Sequence, residues 1–139
     1  MTLKAADLVA GQQFEAIVVD DLTRTQIVQY AGAGGDFNPL HSDEVYATMV
    51  AGYPSIFAHG MLTMGLTGKL LTDVLGIENL VRFDSRFKEQ VWPGDTLTAT
   101  ATVASIDLDG DPTVELTLST TNQHGREVLS GRAVARVAV

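Results

Sequence analysis

Gly60-Met-Leu-Thr-Met-Gly-Leu-Thr-Gly-Lys-Leu-Leu-Thr-Asp-Val-Leu75 is the longest helical pattern in the chain. Met61, Leu62, Met64, Leu66, Leu70, Leu71, Val74 and Leu75 cover most of its circumference, and a helix apolar nearly all round is one that lies buried. Gly76 supplies its stop. The wider apolar segment, 56 to 75, carries His59, Lys69, Asp73 and several glycines, which argues for a core helix rather than a membrane span.

Downstream of this helix the hydrophobic period changes to two. Arg82 to Val91, Thr96 to Asp107, Thr113 to Asn122 and Glu127 to Ala138 read as strands. The turn signals between them are Pro93-Gly94-Asp95, Asp109-Gly110-Asp111 and His124-Gly125. In the second of these strands Leu97, Ala99, Ala101 and Val103 alternate with threonines, the mark of a half-buried sheet.

Upstream, Phe14 to Val19 reads as a first strand. Thr23 and Gln26 have capping-box spacing, and a helix then runs to about Ala33, ended by Gly34 and Gly35. A loop follows through Asp36 and Asn38, Pro39 suits the first turn of a short helix, and Ser42 is placed to cap Asp43 to Val50. The layout predicts an α+β fold, a curved antiparallel sheet wrapped around one long central helix. The open edge or far face of such a sheet calls for a partner, which predicts a dimer.

The 139 residues predict one domain, and 45% apolar residues can supply its core. A net charge of -8 and scattered Lys and Arg exclude a nucleic-acid-binding module. With no cysteine and three histidines, thiolate chemistry is excluded and a structural metal site is not expected. The first residues lack the pattern of a signal peptide, so the default expectation is cytoplasmic.

Two elements carry chemistry. In Gly35-Asp36-Phe37-Asn38-Pro39-Leu40-His41 a carboxylate and an imidazole stand five apart across an Asn-Pro bend that can bring them together, with Asn38 free to hold the loop or the imidazole. The same pair equally describes a surface carboxylate and a helix-capping histidine. In Ala58-His59-Gly60-Met61 a glycine opens the buried helix. Unpaired N–H groups and the helix dipole there suit a developing oxyanion, and one such donor is typically worth roughly 3 kcal/mol. The alternative is that Gly60 only permits tight packing and His59 is a satisfied core residue.

These two blocks, followed by Arg86-Phe87-Lys88 and Val91-Trp92-Pro93-Gly94-Asp95-Thr96-Leu97, resemble in order the hydratase motif of the MaoC-like hot-dog proteins, over about residues 22 to 104. Gly34 departs from the pattern, where many relatives have Ser, and Leu40 stands where Ile is common. The resemblance implies a hot-dog domain that reversibly hydrates trans-2-enoyl thioesters to (R)-3-hydroxyacyl thioesters in fatty-acid or related acyl metabolism. It implies Asp36 and His41 as the acid/base pair, the Gly60 N–H at the thioester oxygen, Asn38 as the loop-orienting residue, and no cofactor or metal.

Coenzyme A or acyl carrier protein is then part of the substrate. Arg82, Arg86 and Lys88, read on one strand face, are candidates for its phosphates. Phe37, Met49, Tyr53, Phe57, His59, Met61 and Leu62 are candidates to touch the acyl part, with plain core packing as the alternative. The resemblance also implies a homodimer, or a heterodimer with a second hot-dog subunit as in two-chain dehydratases of fatty-acid elongation or steroid side-chain degradation. A thioesterase on the same fold is a third reading. It is disfavoured because the first acid on the long helix is Asp73.

Overall fold

A computed structural model describes residues 2–139. Five antiparallel strands form one sheet in the order β1-β3-β4-β5-β2. They are β1 (Gln13–Val19), β2 (Leu80–Phe87), β3 (Leu97–Asp107), β4 (Thr113–Thr121) and β5 (Glu127–Arg136). The two helices are α1 (Arg24–Gly34) and α2 (Gly60–Leu75). The sheet curves about α2, the hot-dog arrangement. No helix among the described residues is long and apolar enough to cross a membrane.

The core forms where small residues let α2 approach the sheet. Ala99 and Ala101 of β3 and Ala133 and Ala135 of β5 are at most 1% exposed, and they pack with Val103, Val114, Leu116 and Leu118 against Leu70, Leu71 and Leu75. Full burial of each such leucine is worth about 1.5–3 kcal/mol. The outer face alternates to Thr98, Thr100, Thr102 and Thr117, as the period of two requires.

The expectation of a helix apolar all round is corrected. One stripe of α2 is buried, while Met61, Gly65, Lys69 and Asp73 are exposed, with Lys69 and Asp73 paired four residues apart at 2.9 Å. The buried stripe includes two threonines, Thr63 and Thr67, that an apolar pattern passes over. Thr67 Oγ1 bonds the Thr63 carbonyl at 3.0 Å and meets Thr120 Oγ1 at 2.6 Å, so a polar contact in the core pins α2 to β4.

Two further boundaries differ from expectation. The first strand after α2 starts at Leu80 and ends at Phe87, not Arg82 to Val91. Pairing with β5 ends just beyond Phe87, where the N–H groups of Lys88 and Glu89 both donate to the Val128 carbonyl of β5, at 2.9 and 3.5 Å, and the regular ladder stops. Pro93-Gly94-Asp95 does not join neighbouring strands. β2 lies at one edge beside β5, and β3 lies three places away. The segment instead packs on the entry to α1, with the Leu22 N–H donating to the Asp95 carbonyl at 2.9 Å and the Gly94 N–H to the Leu22 carbonyl at 2.7 Å.

Gly131 on β5 pairs with Ser85 on β2, and a Cβ at position 131 would lie 2.3 Å from the Asp84 carbonyl oxygen. That obstacle is backbone, so it cannot swing aside. Gly131→Ala is expected to destabilise by about 1–3 kcal/mol through overpacking. Urea unfolding checks it, and an unchanged midpoint would refute the close approach.

Candidate active site

The loop that carries Asp36 is shaped from both ends. Thr23 and Gln26 make the expected capping box at the start of α1. Gly35 ends the helix at φ 71°, a left-handed conformation that costs glycine nothing, and turns the chain toward Asp36. Asp36 Oδ1 accepts from the Asn38 N–H at 3.3 Å, and Asn38 Oδ1 accepts from the Leu40 N–H at 3.0 Å. Pro39 opens a 3-10 turn, Pro39–His41, with the His41 N–H on the Asn38 carbonyl at 3.0 Å. Of the two possibilities for Asn38, the structure shows it holding the loop backbone.

This winding delivers His41, 8% exposed, beside the exposed Asp36. His41 Nδ1 lies 2.6 Å from the Phe57 carbonyl, which can only accept, so Nδ1 carries the proton and the Nε2 lone pair is left free. The Phe57 N–H returns a bond to the Leu40 carbonyl at 3.2 Å. A second imidazole lies against the first. The rings of His41 and His59 stack at 3.8 Å and 23°. His59 Nε2 donates to the backbone carbonyl of Asp36 at 3.0 Å, and the ring takes the edge of Tyr30 at 4.9 Å.

One ligating atom from each of Asp36, His41 and His59 lies within 4.8 Å of the others. Near-parallel stacked rings hold their in-plane lone pairs side by side, so the two imidazoles do not converge on one ion as a tetrahedral site needs. The Asp36 carboxylate and the free His41 nitrogen remain a pair suited to sharing a water and passing its protons.

His59 also precedes α2 as its N-cap, without a side-chain cap bond. The N–H groups of Gly60 and Met61 have no protein partner among the described residues, while Leu62 and Thr63 donate to the His59 carbonyl. Gly60 also lies against β2. A Cβ would sit 3.0 Å from the Phe87 ring, so any larger residue would have to displace that ring.

The remaining candidates divide. Tyr53 and Phe57 join the histidines through ring contacts, His41 to Phe57 at 5.2 Å and Phe57 to Tyr53 at 4.9 Å. Trp92, absent from the sequence-based candidates, completes this cluster at 5.6 Å from Phe57. Only the fold brings it there, from the far side of β2. Phe37, Met49 and Met61 are exposed, and Leu62 is half-buried in a second core cluster. His59, only 2% exposed, lies under His41 rather than at an open surface.

The cation reading needs correction. Lys88 lies beyond the strand, and Arg82 is paired with Asp84 at 2.9 Å. Arg86 remains on the outer sheet face, beside Ser130 and Arg132 in a shallow concavity of about 380 Å³.

The segment after His41 is also revised. Ser42 does not cap it. Asp43 does, its Oδ1 accepting from the Tyr46 N–H at 3.1 Å, and the helix closes in a π-helical turn over Tyr46–Val50. Its Glu44 was not singled out by sequence, yet it joins three parts of the site. One oxygen accepts from Arg24 at the start of α1 and from the Ile56 N–H at 3.2 Å. The Arg24 hydrogen bond, then the Ile56 N–H, hold the Glu44 carboxyl below its ordinary range.

A depressed carboxyl contributes above its unfolded pKa and loses that contribution as pH falls through its folded value. Acidification below the usual carboxylate range is therefore expected to release the Ile56 amide. Both charges are exposed, so the effect on global stability is small. Amide exchange at Ile56 in wild type and Glu44→Ala checks it, and equal exchange in the two proteins at pH 7 would refute the clamp.

Comparison with known proteins gives the class. The family model described as "MaoC like domain" matches residues 6–124, and the chain belongs to that family. It is 32% identical over 102 residues to the (R)-specific enoyl-CoA hydratase of Rhodospirillum rubrum, covering 72% of this chain and 69% of that one. It is 39% identical over 82 residues to 3-hydroxyacyl-thioester dehydratase Y of Mycobacterium tuberculosis, covering 57% of this chain and 28% of the other. The solved (R)-hydratase from A. caviae involved in PHA biosynthesis superposes with a TM-score of 0.84 at 30% identity, over 96% of this chain and 99% of that one. Several curated relatives are much longer, and the chain spans less than a third of each of them.

Proposed function

We propose that this protein is a hydro-lyase that reversibly adds water across trans-2-enoyl thioesters to give (R)-3-hydroxyacyl thioesters. The observation that carries the proposal is the His41 Nδ1 bond to the Phe57 carbonyl, which leaves Nε2 as a base beside the Asp36 carboxylate. Relatives named as an (R)-specific enoyl-CoA hydratase and a 3-hydroxyacyl-thioester dehydratase support the same chemistry.

Asp36 and His41 hold one water between them. As its oxygen attacks the β-carbon, a proton passes to the pair, and the pair returns a proton to the α-carbon. The two groups share one water, so neither is assigned the first transfer alone. Negative charge growing on the thioester oxygen meets the unpartnered Gly60 N–H at the positive end of α2. Asn38 acts by fixing the loop. Tyr53, Phe57 and the exposed Phe37 and Met61 face the acyl part in this reading, and Arg86 is the cation best placed for a phosphate of the carrier. A thioesterase reading is weaker, since Asp73 is exposed and bound to Lys69.

Asp36→Asn and His41→Ala are each expected to cut hydration of crotonyl-CoA or a longer enoyl-CoA by about 10²–10⁴-fold while remaining folded. Loss of absorbance of the conjugated double bond follows the reaction, and circular dichroism checks the fold. Near-normal turnover by either variant would sink the assignment.

The functional unit in this proposal is a pair of hot-dog subunits. Two features support it. β2 is an edge strand with Val81 and Phe87 about half exposed, and Val45, Met49 and Val50 leave apolar surface uncovered beside the loop of the site. With the Asp-His pair intact, this chain is the catalytic member of either a homodimer or a heterodimer. Light scattering on the protein alone is expected to give a dimer with hydratase activity. An inactive monomer that gains activity with a second hot-dog chain would select the heterodimer.

A further inference from the structure

We infer that His59 is a positioning residue for this reaction, the buried anchor that holds Asp36 and His41 in one geometry. The inference rests on the hydratase reading and deepens it. His59 has no route to a substrate, being 2% exposed, yet it touches both members of the pair. Its Nε2–H holds the Asp36 backbone carbonyl at 3.0 Å, and its ring lies flat against His41 at 3.8 Å. It is also the residue before Gly60, at the N-cap of α2. One side chain thus links the carboxylate loop, the imidazole and the helix start.

The second observation is what His59 lacks. Its Nδ1 is fully buried with no hydrogen-bond partner. An orphan acceptor in the interior costs free energy, and a residue kept only for packing has cheaper alternatives of the same shape. Phenylalanine fills the ring volume, keeps a face for His41 and an edge for Tyr30, and removes the orphan nitrogen. What it cannot supply is the N–H that holds the Asp36 carbonyl. Glutamine does the converse. Its amide N–H reaches about as far as histidine Nε2 but offers no aromatic face. The two substitutions therefore separate anchoring from packing.

The test compares His59→Phe and His59→Gln with wild type by steady-state kinetics on an enoyl-CoA, thermal unfolding, and amide exchange at Asn38, Leu40 and His41. His59→Phe is expected to lower kcat by about 10–100-fold, because a small misplacement of reacting groups costs that much. KM should change less than about 3-fold, since His59 touches no substrate. Amide exchange in the 38–41 loop should rise. The lost bond and the removed orphan nitrogen offset each other, so Tm should stay within about 5 °C of wild type. His59→Gln should recover at least half of the lost kcat on a logarithmic scale and restore the loop protection.

Equal loss of kcat in both variants, a defect confined to KM, or a kcat loss matched by a large fall in Tm would overturn the anchoring role. Failure of wild type on an enoyl-CoA panel would instead defeat the hydratase reading. Amide exchange would then decide the anchoring alone, with unchanged loop protection in His59→Phe overturning it.

Discussion

The first turn of α2 must come very close to β2, and the rest of the site depends on that approach. Glycine at position 60 suits that approach, because a Cβ there would lie 3.0 Å from the Phe87 ring, which would have to shift to admit it. Once α2 is seated there, the residue before it, His59, is carried into the interior. The segment before that, through Phe57 and Ala58, is drawn along the bend after β2, with the Ala58 N–H on the Val91 carbonyl at 2.8 Å. The Phe57 carbonyl is then in place to accept the hydrogen bond of the His41 Nδ1–H. A packing constraint at one α-carbon is thereby converted into the tautomer of a ring contributed by a different loop.

The site is a meeting of three chain segments, each held by modest interactions. Asx-type bonds from Asp36 and Asn38 shape one, the Phe57 and Leu40 exchange fixes a second to it, and the Glu44 carboxylate spans from α1 to Ile56. None of these is worth more than a hydrogen bond or an exposed ion pair in isolation. Together they restrict a pair of reactive groups to one arrangement, which is what acid/base chemistry on a bound water requires. The aromatic run from Tyr30 through His59, His41 and Phe57 to Tyr53 and Trp92 adds a continuous chain of ring contacts, edge-on or tilted except for the stacked His41–His59 pair.

Much of the fold was legible in sequence because its signals are local. Capping-box spacing at Thr23 and Gln26, glycine after each helix, and the switch from a helical to a two-residue period all act within a few residues, and α2 was bounded correctly. The errors have a common cause. Ser42 and Asp43 both suit an N-cap, and the choice fell to whichever oxygen the Tyr46 N–H could reach. The strand-like run does not stop at Phe87 in sequence, yet the Lys88 and Glu89 amides share the one Val128 carbonyl of β5 and regular pairing ends there. The helix read as buried all round because Met61 counts as apolar whether or not anything covers it.

Sequence by itself determined that a carboxylate and an imidazole flank an Asn-Pro bend and that a glycine opens the long helix. Backbone chemistry at Asn38, Pro39 and Gly60 needs no distant partner to be read. Tertiary structure decided the rest: which nitrogen of His41 is free, that His59 lies buried against His41, that Trp92 joins the cluster, and that Arg86 rather than Lys88 stays on the sheet face. Each of those depends on contacts between residues far apart in the chain. Such contacts exist only after the Ala-lined sheet has admitted α2, and no local pattern encodes their geometry.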